Sequence, residues 1–285
     1  MNNFSLIKDI FVENDNTKDF VNLDKSNLAY HKILSALQKP LKLILFYGKP
    51  GTGKTFLLYK IKEDLEERVK VVFFPQPFFD EKEFFHEMYL QIFNKEPKEL
   101  VNSYESFMRI YKNSDLNTGE QVVILLDEAQ LYPPVLIEKI RLMADSRLFK
   151  FLFTVHKTDE EDALAKDYFK TRIWSSIELP NSTLSELKLY IEKKLLFHNF
   201  HAYYYQYNDD NFNLIYHLTD GNLRNLNKLL FKIYEICEYY EVNKPTEVNA
   251  SGFSNKIIEM AAISVGLINA WTFWNCRIRR KMEWV

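Results

Sequence analysis

Three observations predict an α/β fold: a parallel five-stranded sheet followed by a small C-terminal helical region. First, apolar runs at 41–47, 69–74, 121–126, 149–155 and 173–179 alternate with stretches of helical spacing. That alternation implies parallel strands, right-handed crossovers and helices on both faces of the sheet. Second, Val122–Leu126 is an unbroken branched apolar run, the pattern of a central strand covered on both faces. Third, strand patterns stop near Pro180-Asn181-Ser182, and helical ones follow at about 183–198, 209–218, 222–240 and 255–267.

Composition bounds the function classes. The chain has 285 residues, 47% hydrophobic and 27% charged, with a formal charge of −2. This is a globular composition with enough chain for a substantial core. Near-neutral charge argues against a general nucleic-acid coat, although a local basic patch is compatible with it. Cys237 and Cys276 are too few and too far apart for a disulfide scaffold or a zinc knuckle, and read as reduced thiols. Met1–Asn16 is polar and acidic, so no secretory signal is expected there. Met260–Cys276 is the nearest approach to a membrane span, but Gly266 and polar residues interrupt it, and a non-spanning helix is the expectation.

Glycine usage points to a site. Of seven glycines, three fall at Gly48, Gly51 and Gly53. Glycine tolerates positive φ and lets a ligand approach the backbone. The segment Gly48-Lys49-Pro50-Gly51-Thr52-Gly53-Lys54-Thr55 separates a buried-strand pattern, Leu41–Tyr47, from a helical one beginning at Phe56. A GxxxxGK[ST] match between strand and helix is a P-loop. Its backbone N–H groups and the helix N-terminus cradle phosphates. Lys54 is expected to reach the β- and γ-phosphates of ATP, and the Thr55 hydroxyl to ligate Mg²⁺.

The run Val122–Leu126 leads into Asp127-Glu128, about 70 residues after the P-loop. Asp127 falls at the C-terminal end of its strand, where open α/β sheets bind ligands. It is expected to hold Mg²⁺ (the Walker B role), and Glu128 to act as the general base on the attacking water.

With Asp127-Glu128-Ala129-Gln130 after the P-loop, the chain resembles the AAA+ ATPases. Within them it is similar to the ExeA/GspA group, which assists type II secretion, pilus-like and DNA-uptake machines. The transposition ATPases TniB and TnsC are close in layout. The resemblance spans roughly residues 20–268 and implies strand order 5-1-4-3-2. It places sensor 1 at His156, an arginine finger at Arg172 with Arg147 and Arg141 as rivals, and sensor 2 at Arg224 within Asp220–Asn227. The bland alternatives are a strand-end polar residue, a surface salt bridge and an exposed helix arginine. Thr183-Leu-Ser-Glu186 carries a capping-box pattern. Gln76, between two prolines, is either a restraint on Glu128 or a turn residue. His156-Lys157 stands where Gly-Gln is common in that group, and the sequence as given does not continue into that group's transmembrane helix and periplasmic domain.

The expected organisation is an N-terminal arm (1–19), a nucleotide-binding core (20–180), a helical lid (181–268) and an aromatic, basic tail (269–285). Three of four tryptophans lie in the tail, a composition suited to a membrane interface or an acidic partner. The resemblance implies an ATPase that self-associates through its ATP interfaces. It also implies a cytoplasmic location, with action on protein partners of a membrane machine and peripheral contact with the inner membrane as the expectation. The alternative is a DNA-associated ATPase of transposition or replication initiation, disfavoured by the acidic balance.

Overall fold

A computed structural model of the chain describes residues 3–12, 20–116, 121–156, 173–243 and 253–269. The chain divides into two compact units, Lys25–Pro180 and a second built from Met1–Asp24 with Asn181–Val285. The strands are β1 Leu43–Gly48, β2 Val71–Phe74, β3 Val122–Leu126, β4 Phe149–His156 and β5 Ile173–Glu178. The helices are α1 Phe4–Asp9, α2 Asp24–Gln38, α3 Lys54–Glu66, α4 Glu81–Phe93, α5 Tyr104–Lys112, α6 Pro134–Asp145, α7 Leu184–Phe197, α8 Asp209–Thr219, α9 Leu223–Asn243 and α10 Asn255–Ser264.

The first unit holds the sheet. All pairings are parallel, in the order β2-β3-β4-β1-β5. This is the expected 5-1-4-3-2 read from the other edge. Every residue of β2 and β3 is buried, as their unbroken apolar runs require. Phe84, Phe85 and Phe107 pack against Phe149, Phe151 and Phe153 in one core, each with essentially no exposed surface. Burial of each ring stabilises the unit by about 1.5–3 kcal/mol. The paired phenylalanines of the sequence are therefore mostly core, with the exception of Phe79, which is 72% exposed. Asp80 caps α4 by accepting the Glu83 N–H at 3.0 Å.

The second unit is helical. The capping box at its entry forms as expected: Glu186 Oε2 accepts the Thr183 N–H at 2.9 Å and Thr183 Oγ1 accepts the Glu186 N–H at 3.3 Å. Leu187, Ile191, Leu226, Leu230 and Ile233 form its core with Phe4, Ile7 and Phe11 of the N-terminal segment. The described part of residues 1–19 is thus packed against α9, with Phe11 stacked on Tyr234 at 5.8 Å. The Asn3 N–H donates to Tyr203 Oη at 2.8 Å and Lys8 pairs with Glu238 at 2.5 Å. The tyrosines at 203–207 serve this packing too: Tyr207 donates to Tyr234 Oη at 3.0 Å, while Tyr205 alone is largely exposed. Among the described residues no helix is long and apolar enough to cross a membrane. The stretch Met260–Cys276 supplies the end of α10, which stops before Gly266 at φ +74°. Residues 270–276 of that stretch and the tail Trp271–Val285 lie outside the described residues.

One turn in this unit is tightly constrained. Asp220 and Gly221 both have positive φ, and the Ser182 N–H donates to Gly221 O at 2.9 Å. A Cβ on Gly221 would lie 1.9 Å from Ser182 O, backbone that does not yield easily. Gly266 has the same handedness, but a Cβ there would meet nothing within 4 Å. Gly266→Ala is therefore expected to cost about 1 kcal/mol, the conformational penalty alone. Gly221→Ala is expected to cost at least about 2–3 kcal/mol, because a clash is added. Denaturant melts of the two variants decide it, and equal losses would refute the clash.

Candidate active site

The P-loop leaves β1 between the two strands that flank it. Gly48 sits beside His156 of β4 in the parallel register. A Cβ on Gly48 would approach Leu179 O to 2.4 Å, so only glycine lets β1 lie this close to the chain leaving β5. Gly51 (φ +79°) and Gly53 (φ +98°) supply the left-handed turns that bring the loop into α3. The Thr52 hydroxyl donates to Lys49 O at 3.0 Å and closes the loop from inside. Pro50 stiffens the turn ahead of Gly51. Because α3 opens at Lys54, the N–H groups of Lys54, Thr55 and Phe56 have no acceptor within the helix. They present a positive helix end to the loop. Lys54 is buried, and its Nζ donates to Gly48 O at 2.9 Å and Lys49 O at 3.1 Å. The ammonium therefore stands inside the loop, held by the loop's own carbonyls.

The acidic pair lies across from it, at the end of β3. The Asp127 N–H donates to Phe74 O at 3.0 Å, continuing the ladder with β2. Its side chain is buried and its Oδ1 accepts the Glu128 N–H at 3.0 Å and the Thr154 hydroxyl. Glu128 has φ +51°, a left-handed conformation that costs a non-glycine residue on the order of 1–3 kcal/mol. That turn swings its carboxylate sideways. Glu128 Oε1 lies 2.9 Å from His156 Nε2, and Oε2 accepts from Gln130 Nε2 at 2.5 Å. His156 thus stands between the first P-loop glycine and the carboxylate expected to act as base. Tyr132 packs behind this group, and burial together with the charge on Asp127 pushes its phenol well above the ordinary range. It is a neutral donor, giving its proton to Gln76 O at 3.4 Å.

The sequence-derived residues divide accordingly. Gly48–Phe56, Asp127, Glu128 and His156 gather at the C-terminal edge of the sheet. Arg172 lies outside the described residues. Of its rivals, Arg141 is held in ion pairs with Glu138 and with Asp145 at 2.8 Å. Arg147 precedes β4, at the opposite end of that strand from His156. Arg224 stands in the first turn of α9, in the helical unit. Gln76 is exposed, and only its backbone joins the network. The amide that does reach Glu128 belongs to Gln130, a residue quoted in the motif but given no role by it. Thr154 carries no signal in the sequence.

A glycine-rich strand-to-helix loop and an adjacent buried acid lie at one edge of a parallel sheet ordered 2-3-4-1-5, the arrangement of the AAA+ fold. Residues 25–164 match the family model described as an AAA domain. The chain is similar to the Holliday junction branch migration complex subunit RuvB of Mycoplasmopsis pulmonis, with 43% identity over 58 residues. That match spans 19% of this chain and 18% of the relative. Among solved structures, the Drosophila ORC bound to DNA aligns over 94% of this chain and 67% of its own, at 12% identity and a TM-score of 0.66. Cdc6p from Pyrobaculum aerophilum aligns over 82% of this chain and 66% of its own, at 14% identity and a TM-score of 0.62. At such identities the structural likeness is one of fold. Nothing in these likenesses is specific to the ExeA/GspA secretion group.

Proposed function

We propose that this chain binds and hydrolyses ATP with Mg²⁺, self-associates, and acts on DNA. The reading rests on the convergence of the Gly48–Thr55 loop, Asp127 and Glu128 at one sheet edge. The Lys54 ammonium and the helix N-terminus provide positive charge for phosphate groups. A hydroxyl (Thr55) and a buried carboxylate (Asp127) suit Mg²⁺, which takes one or two protein oxygens and completes its shell from phosphates and water. Bound there, Mg²⁺ neutralises charge on the transferred phosphoryl group. Glu128 takes the proton of the attacking water, and Lys54 stabilises the negative charge that develops. Arg172 remains the proposed finger toward a neighbouring copy.

DNA is preferred over a membrane-machine partner because the named relatives act there by their own descriptions: a Holliday junction complex subunit and a DNA-bound ORC. Secretion assistance rests on motif resemblance and on a tail that lies outside the described residues. The test is the mass by light scattering of the purified chain with Mg-ATP, with and without duplex DNA. Assembly that appears or grows on DNA, and weakens steeply with salt, is the expected result. ATP-driven assembly indifferent to DNA would overturn the DNA reading and leave the ATPase reading standing.

A further inference from the structure

We propose that Thr154 is a positioning residue for Mg²⁺-dependent nucleotide binding and hydrolysis, setting both acids of the site through one hydroxyl. The inference rests on the ATPase reading above.

The register between β3 and β4 pairs Leu126 with Phe153, so Asp127 comes to lie beside Thr154. Thr154 has no exposed surface, and every other buried residue of β4 is apolar: Phe149, Phe151, Leu152 and Phe153. A hydroxyl at such a place is costly unless it is bonded. Here both of its bonds go to the acidic pair. An ionised carboxylate can only accept and a backbone N–H can only donate. The hydroxyl therefore gives its proton to Asp127 Oδ1 and takes the Glu128 N–H at 3.1 Å.

Each bond fixes something different. The first selects one rotamer of Asp127 and occupies Oδ1, which leaves Oδ2 as the oxygen for a cation. The second helps hold Glu128 in its left-handed turn, and that turn carries the carboxylate to His156. Valine fills the same volume and keeps the strand, but it cannot make either bond. Loss of an outer hydrogen bond of this kind typically lowers metal affinity or activity about 10- to 100-fold.

The experiment compares wild type with Thr154→Val and Thr154→Ser. A fluorescent ADP analogue is titrated in EDTA and across a Mg²⁺ series, and phosphate release and thermal melts are measured alongside. The expected result has three parts. In EDTA, Thr154→Val binds the nucleotide as wild type does. It requires about tenfold more Mg²⁺ for the same affinity, and its turnover falls about 10- to 100-fold. Thr154→Ser stays within about threefold of wild type, because the hydroxyl is kept. If Thr154→Val melts early, Thr154→Ala carries the same readout. A Mg²⁺ series for the hydroxyl-free variants that overlays wild type overturns this inference alone. A wild type without Mg²⁺-dependent nucleotide binding overturns the ATPase reading, and this one with it.

Discussion

Glu128→Gln is expected to bind ATP with near wild-type affinity and to turn it over about 10²- to 10⁴-fold more slowly, the range a positioned general base contributes. The substitution keeps the size of the side chain and removes its ability to take a proton. The P-loop contacts do not involve Glu128: Lys54 bonds to Gly48 and Lys49, and the loop closes through Thr52. Binding and chemistry should therefore separate in this variant. One bond at the site must change. Glu128 now accepts from both Gln130 and His156, whereas a glutamine offers one acceptor and one donor group in their place. Fluorescent-nucleotide titration and steady-state phosphate release test the separation. Turnover at the wild-type rate would remove Glu128 from the role of base. Lost binding would make it a structural support of the loop instead.

The parts of this site that are legible in the sequence are those whose chemistry demands a fixed local spacing. Gly48, Gly51, Gly53, Lys54 and Thr55 must follow one another within a single strand-to-helix turn, so one short window holds them all. Asp127 is legible because a fully apolar strand ends there. Thr154 and Gln130 are not. Thr154 reaches Asp127 through the β3–β4 register, and a slip of one residue would turn its hydroxyl to the other face. Gln130 reaches back to Glu128 only because Glu128 adopts a left-handed turn that no short-range signal announces. The same limit explains Gln76, which sits on the adjacent strand's exit yet leaves its side chain in solvent. In the fold, strand order follows from the resemblance and strand existence from apolar runs. Element ends differ by a few residues: β1 begins at Leu43, not Leu41, and α9 runs on to Asn243. The segment Phe4–Asp9 reads as part of an arm because a six-residue helix carries too little periodicity to declare a buried face. Its partners include Tyr203 and Tyr234, some 200 residues away.

Lys54→Ala is expected to abolish nucleotide binding at concentrations that saturate the wild type. The reason lies in how the ammonium is held. Lys54 is 5% exposed, and its ammonium donates to two backbone carbonyls, Gly48 O and Lys49 O. Carbonyls stabilise a buried cation less than an ionised acid does, so the ammonium is placed to exchange them for phosphate oxygens at modest cost. Alanine removes that charge from the centre of the cradle while leaving Gly51 and Gly53 to shape the loop. The fold should therefore survive and the affinity should not. Thermal melts with and without Mg-ATP give the readout. At about 100 times its dissociation constant, a ligand stabilises the native state by about 2.7 kcal/mol, several degrees for a chain of this size. Wild type should show that rise and Lys54→Ala should show none, while the two melt together without nucleotide. Glu128→Gln should rise like the wild type, or further, because bound ATP is no longer consumed. A shared rise in Lys54→Ala would mean that the nucleotide is held elsewhere, and the assignment of the Gly48–Thr55 loop as the phosphate cradle would fall with it.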